Sequence, residues 1–222
     1  MQGLRLPAGR RLKHWVFAME SEATVFVIDD DPDVRDALAR LLRAIGWGVR
    51  VYPAANEFLE ELPDNIDGCV LLDVNMPGMT GPELHDRMRE TGSTLPVIYL
   101  TGQASLSIGV SAMKHGARDF LEKPIDEDVL LPTIEQAIAE HRRARAMQGH
   151  LDEINVCLRK LSLREREVMD HVIAGRLNKQ IAADLGIAEK TVKVHRGRAM
   201  SKMQVRSVAQ LVRLCDAVGV GK

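Results

Sequence analysis

Cysteine is scarce in this sequence, and what there is does not pair: Cys69, Cys157 and Cys215 are odd in number and far apart. Such a set excludes a disulfide framework and points to a reduced, cytoplasmic setting. No Cys or His pair stands at metal-ligand spacing, so a zinc site is not expected. A run of about 18 uncharged apolar residues is missing as well, so nothing is expected to span a membrane. Residues 1–22 lack the long apolar core and small-residue cleavage site of a signal peptide. They hold Arg5, Arg10, Arg11 and Lys13 around one short apolar patch, Trp15, Val16 and Phe17. Met19 stands just before the first strand-like run and is the expected translation start, which would make the preceding residues a start-site artefact; a disordered arm is the alternative reading.

Apolar residues are plentiful, at 45% of 222, enough for one or two domains with real cores. The net charge of -1 hides an asymmetry. From Ala23 to Ala137 there are 20 acidic and 9 basic residues, and from Leu158 to Lys222 there are 6 and 14. An acidic half joined to a basic half points to two jobs, with the basic half the candidate for a polyanion partner.

From Thr24 onward short apolar runs alternate with amphipathic stretches. Strands are expected at Val25–Ile28, Val49–Tyr52, Cys69–Leu72, Val97–Leu100 and Asp119–Leu121. Helices are expected near Val34–Ile45, Ala55–Leu62, Pro82–Glu90, Leu106–His115 and from Asp126 on. The first carries Val34, Leu38, Leu41, Leu42 and Ile45 on one stripe. Five such units predict an α/β fold, a doubly wound five-stranded parallel sheet covered on both faces. Right-handed crossovers bring the strand C-terminal ends to one edge, where the site lies. The last of these helices continues through Glu140, His141, Arg142, Arg143 and Arg145 to about His150 as a solvated connection. Beyond it the pattern is all helical, with breaks at Gly175 and Gly186. The expected division is an extension over 1–22, the α/β domain over 23–137, a helical linker over 138–157 and an all-α four-helix domain over 158–222.

Chemistry gathers at the strand ends. Asp29, Asp30 and Asp31 follow the first strand, Asp73 the third, Thr101 the fourth and Lys123 the fifth. Clustered carboxylates repel unless a cation joins them, and a hard dication with oxygen ligands, Mg2+, suits them. Asp73 then becomes a nucleophile toward a phosphoryl group, with Lys123 and Thr101 available to its oxygens and Gly102 leaving space. Asp31 reads instead as the cap of the following helix. His85 and His115 read as surface residues, and Met76, Met79 and Met113 as packing.

VIDDD, LLDVNMPGMTG, IYLTG and FLEKP, in that order over about Thr24 to Ala137, resemble the receiver domain of bacterial response regulators. The resemblance implies a flavodoxin-like fold with Asp73 as phosphoacceptor and Asp29 and Asp30 as the acidic pair. It implies that the backbone carbonyl of Asn75 completes a Mg2+ shell and that Thr101 and Phe120 are the switch residues. It further implies a phosphate-binding Lys123 and a cis bond before Pro124. Asn75 and Gln103, at the edge of this site, are expected to tune the lifetime of the acyl phosphate.

In the basic half, Asn178–Leu185 and Glu189–Met203 form two helices around a turn at Gly186 and Ile187. The second has Val192, Ala199 and Met203 on one stripe, with His195 beside it as a satisfied packing residue. Lys190, Lys193 or Val194, Gly197 and Ser201 lie on the other. A helix buried on one side and basic with small residues on the other fits the major groove of DNA. Gly197 costs about 1 kcal/mol of helix propensity relative to Ala, which close approach of DNA or another backbone would explain. LSLREREVMDHVIAGRLNKQIAADLGIAEKTVKVHRGRAMSKMQVRS resembles the LuxR-type helix-turn-helix of the NarL/FixJ class. By that resemblance Lys190, Lys193, Val194 and Gly197 are expected near bases, and Lys179, Thr191, Arg198 and Lys202 on phosphates. Ala188 stands where many relatives have a capping Ser. A final helix, Val208 to Val218, supports either dimerisation or the local core.

Together these readings predict a phosphorylation-dependent, DNA-binding transcriptional regulator. Its partners would be a sensor histidine kinase, double-stranded DNA and a second copy of itself. No enzyme activity is expected beyond autocatalytic phosphoryl uptake and loss at Asp73. A phosphohydrolase of the haloacid-dehalogenase type also forms an aspartyl phosphate, but it needs its nucleophile on the first strand in an Asp-x-Asp pattern, which Asp73 does not have. A regulator that acts without phosphorylation is disfavoured by the intact pocket.

Overall fold

A computed structural model of the chain describes residues 23–63, 66–102 and 116–220. The expected extension over 1–22, the expected helix Leu106–His115 and the readings of Gln103, Met113 and His115 lie outside them. The chain divides into two compact units between Arg143 and Ala144.

Unit 1 is built on β1 (Thr24–Ile28), β2 (Gly48–Tyr52), β3 (Gly68–Asp73), β4 (Val97–Thr101) and β5 (Asp119–Glu122). They form one sheet in the order β2-β1-β3-β4-β5, every pairing parallel. Alternation sorts the strand side chains to two faces. Val25, Val27, Leu71, Ile98 and Leu100 pack with Leu38 and Leu42 of α1 (Pro32–Ile45). Phe26, Ile28, Val70, Leu72 and Tyr99 face the other way, onto Phe58 of α2 (Ala55–Glu60) and Leu84 and Met88 of α3 (Gly81–Glu90). Both faces of the central strands are therefore buried, which is why those runs read as continuously apolar. Strand β2 lies at the edge and is exposed at three of its five residues.

Helix α1 starts on Asp31, whose side chain accepts a hydrogen bond from the Asp33 amide, as expected of a cap. It stops at Gly46, where φ is 102°, a conformation glycine adopts without a Cβ clash. Helix α4 (Glu127–Arg159) runs on past His150, through the segment expected as a helical linker over 138–157. Leu130, Leu131, Ile134, Ala137 and Ile138 belong to the core of unit 1, and Ile154 and Leu158 to that of unit 2. The stretch read as solvated is not wholly so. His141 is buried, its Nε2 3.1 Å from Thr94 Oγ1.

Unit 2 adds α5 (Leu163–Ile173), α6 (Asn178–Leu185), α7 (Glu189–Lys202) and α8 (Val208–Ala217). Its core joins Val168, Met169 and Val172 of α5, Ile181 of α6, Val192 and Ala199 of α7, and Leu211 and Cys215 of α8. The turn between α6 and α7 is made by Gly186 at φ 65°.

Candidate functional site

Strands β2 and β3 flank β1 on opposite sides, so the chain reverses direction across the sheet between β1 and β3. That reversal opens a crevice at the strand ends, the usual ligand site of such sheets. Asp29 stands immediately after β1 and Asp73 is the last residue of β3. Asp29 is fully buried and Asp73 almost so, while Asp30 is exposed at the mouth. The Lys123 main-chain N–H donates to Thr101 O at 2.7 Å, which sets the lysine beside the end of β4. Its Nζ reaches Asp29 Oδ2 at 2.6 Å and Asp73 Oδ1 at 2.5 Å. One ammonium thus bridges two buried carboxylates.

The backbone supplies the rest of the cradle. Asp29 Oδ1 accepts from the Asp31 amide, and Asp73 Oδ2 from the Asn75 amide at 2.7 Å. Arg35 Nη1 donates to Asp29 O at 2.6 Å and holds the start of α1 against it. Gly81 is needed at the N-terminus of α3: a Cβ there would lie 2.4 Å from Asp73 O. Thr80 and Glu83 cap that helix reciprocally. Burial pushes the Asp29 carboxyl above its ordinary value, against the hydrogen bond from Lys123. Burial pulls the Lys123 ammonium down, but its bonds to Asp29 and Asp73 outweigh that and leave it above the usual lysine value. Thr101 is buried at the end of β4, and the Phe120 ring on β5 is more than a third exposed. The peptide bond before Pro124 is cis. Among the described residues, no three His, Cys, Asp or Glu side chains converge as a ready cluster of metal ligands. Lys123 lies between the two carboxylates instead.

His85 is a correction. It was expected on the surface, yet it is buried, with Nδ1 3.1 Å from the Tyr99 hydroxyl and the two rings edge to face. The period of α3 shows why. Leu84, His85 and Met88 share its buried face, and an amphipathic imidazole is accepted there because Tyr99 supplies a polar partner.

In unit 2 the sorting of α7 follows its sequence. Val192, Ala199 and Met203 are buried, while Lys190, Thr191, Lys193, Val194, Gly197, Arg198 and Ser201 are exposed, as is Lys179 on α6. Lys193 lies 3.3 Å from Glu189, one turn back. Ala188 offers α7 no side-chain cap, as expected. His195 packs half-buried, but its enclosed Nδ1 finds no partner among the described residues, so it is not the satisfied histidine anticipated.

Lys202 differs from the other cations. Its Nζ donates to Glu165 Oε2 at 2.6 Å, and Glu165 is buried at the first turn of α5. The Lys202 bond and the Ser162 amide hold the Glu165 carboxyl down at about 2. This contact ties the end of α7 to the start of α5, a role the sequence reading did not give to either residue. The signal was present: Ser162-x-x-Glu165 before an apolar run is a capping-box pattern, and the structure shows both of its bonds. Arg196 is similarly engaged, donating to Asn178 Oδ1 at 2.9 Å.

Comparison with known proteins gives two family matches. Residues 25–135 match the response regulator receiver domain, and residues 159–215 match the bacterial regulatory proteins of the luxR family. The transcriptional regulatory protein FixJ of Bradyrhizobium diazoefficiens is 42% identical over 91% of this chain and 98% of its own. Nodulation protein W of the same organism is 37% identical over 90% of this chain and 88% of its own. Among solved structures, the response regulator StyR aligns with a TM-score of 0.80 at 43% identity, over 88% of this chain and 99% of that one. Full-length FixJ from B. japonicum aligns with a TM-score of 0.57 at 42% identity, over 90% and 98%.

Proposed function

We propose that this chain, which belongs to the response regulators that join a receiver domain to a luxR-family regulatory domain, takes a phosphoryl group on Asp73 and binds double-stranded DNA through α7. It is a transcriptional regulator and not a conventional enzyme. The donor is the phosphohistidine of a sensor kinase, and the setting is the cytoplasm, where the DNA is. Among the described residues no helix is long and apolar enough to cross a membrane.

The observation that carries the reading is the Lys123 bridge between Asp29 and Asp73 at the strand-order reversal. An Asp73 carboxylate oxygen attacks phosphorus, the P–N bond of the donor breaks, and an acyl phosphate forms. Lys123, already within hydrogen-bond distance of Asp73, pairs with an oxygen of the incoming group. Thr101 closes on another, and Phe120 turns inward from its exposed position. Magnesium fits the donors: oxygen atoms only, with Asp29, Asp30 and Asp73 outnumbering the single ammonium. Those three residues and the Asn75 carbonyl would hold it. When bound it supplies neutralisation of the charge on the phosphoryl oxygens. The phosphorylated receiver favours a homodimer, and two copies of α7 then engage paired half-sites with raised effective concentration.

Asp73→Asn tests the assignment, because it preserves shape and removes the nucleophile. DNA titrations with and without a small phosphoryl donor, at stated salt, should show an increase in affinity for the native chain and none for the variant. Phosphate found on residue 73 of the variant would defeat the assignment.

A further inference from the structure

Strand β2 ends one side of the sheet, and its outer edge is open. The Gly48 amide donates to Ala23 O and Tyr52 O accepts from the Asp29 amide, so the even-numbered residues of the strand bond to β1. In a parallel ladder the residues between them turn their peptide groups the other way. Those residues are Val49 and Val51. Arg43, in the last turn of α1, donates to Val49 O at 3.4 Å, which leaves the Val49 N–H and both polar groups of Val51 facing outward. Native sheet edges are commonly blunted by proline, by bulges or by charged side chains. Strand β2 contains no proline, and its one charged side chain is turned back. The Arg50 guanidinium lies 5.9 Å from the centre of the Phe26 ring and 5.7 Å from that of Tyr52, and it pairs with Glu61. Val51 is left 38% exposed. Along this edge runs a groove of about 470 Å³, walled by Glu57, Glu60 and Glu61 at α2, all exposed. Arg50 and the Tyr52 hydroxyl engage Glu61, while Glu57 and Glu60 have no cation beside them among the described residues.

We propose that this edge docks an extended segment of a partner protein, one with lysine or arginine at alternate positions, which joins the sheet as a further strand beside β2. Main-chain bonds to Val49 and Val51 set its register, and the side chains set its identity. Alternate side chains of a strand share a face and stand about 6.8 Å apart. Along α2, Glu60 and Glu61 lie about 4.5 and 6 Å beyond Glu57. Two cations at alternate positions therefore each meet a carboxylate. The residues between them face the other side of the sheet, where Val51 offers an apolar surface. A second copy of this chain fits less well. Pairing two β2 edges about a two-fold axis keeps both α2 helices on one face of the joined sheet and sets Glu57 of one copy against Glu60 and Glu61 of the other. Like charges opposed in this way are destabilising.

The test uses the full chain, isotopically labelled, with an amidated peptide that alternates lysine and threonine as the probe. We expect the amide resonances of Val49 and Val51 to shift on titration and their hydrogen exchange to slow roughly tenfold at saturation. Methylating the backbone nitrogens of alternate peptide residues keeps the charge and blocks one edge of the peptide. Of the two such peptides, one blocked at threonine and one at lysine, one should bind roughly tenfold more weakly than the other. Glu57→Gln combined with Glu60→Gln should weaken the unmodified peptide by roughly tenfold and leave circular dichroism and phosphoryl uptake on Asp73 unchanged. A peptide alternating glutamate and threonine should not bind. Equal binding of the two methylated peptides, or native affinity in the glutamine variant, means attraction by charge alone and overturns the proposal. So do Val49 and Val51 amides that neither shift nor slow at millimolar peptide. Protection of those amides that grows with the chain's own concentration, without peptide, gives the edge to a second copy and overturns it as well.

Discussion

Lys123 and Glu165 carry opposite duties at the scale of single residues. Lys123 is the cation between two buried acids, and Lys123→Ala would leave Asp29 enclosed without it. Removing one partner of a buried ionic group costs about 3 kcal/mol, and we expect that loss in urea unfolding at neutral pH, followed through Trp47 fluorescence. The loss should shrink on acidification. Burial already lifts the Asp29 carboxyl in the fold, and without Lys123 it rises further, so the folded state holds the proton more tightly than the unfolded one. Stability from such a group is present at low pH and is lost as pH rises through the folded value. Glu165 behaves the other way. Its folded carboxyl titrates at about 2 against an ordinary 4.5, so its stabilisation is complete above 4.5 and drains as pH falls toward 2. Glu165→Gln should flatten the acid limb of unfolding in unit 2. Far-UV circular dichroism is the measurement, since no Phe, Tyr or Trp occurs from Ala144 to Lys222.

Helix ends give the clearest tests at the scale of elements. Helix α5 has both bonds of a capping box, and α7 has no side-chain cap at all. Ser162→Ala should therefore destabilise unit 2 by about 1 kcal/mol, and Ala188→Ser should stabilise it by a similar amount. Urea unfolding by circular dichroism would show the two midpoints moving in opposite directions. The elements themselves were largely legible in the sequence, because period-two and near-four-residue spacings are local properties of the chain. All five strands lie where the apolar runs put them, with ends shifted by one residue or so. In helix α4 the charged stretch Glu140–Arg145 hides an apolar stripe that resumes at Ile154 and Leu158. A local window sees the charges and not the second core.

Across the whole molecule the charge asymmetry predicts how binding responds to salt. Each phosphate contact contributes about 0.9 to the slope of log affinity against log salt. Lys179→Ala and Arg198→Ala should each lower that slope by about one, because these side chains are exposed and carry none of the core. Lys202→Ala should change the slope little and unfold unit 2 more readily, because its ammonium is held by Glu165. A titration series from low to moderate salt separates the two behaviours.

The amino-acid order alone determined the βα alternation, the acids and lysine at the strand ends, and the two stripes of α7, since each depends on residues a few positions apart. Tertiary structure decided what depends on distant residues meeting: that Lys123 bridges Asp29 and Asp73, 94 and 50 positions away, that His85 turns inward to Tyr99, and that Lys202 answers Glu165 rather than solvent. A side chain's type is written in the chain, but its partner is set by packing, and a buried charge or imidazole takes whichever polar group the fold brings within hydrogen-bond reach.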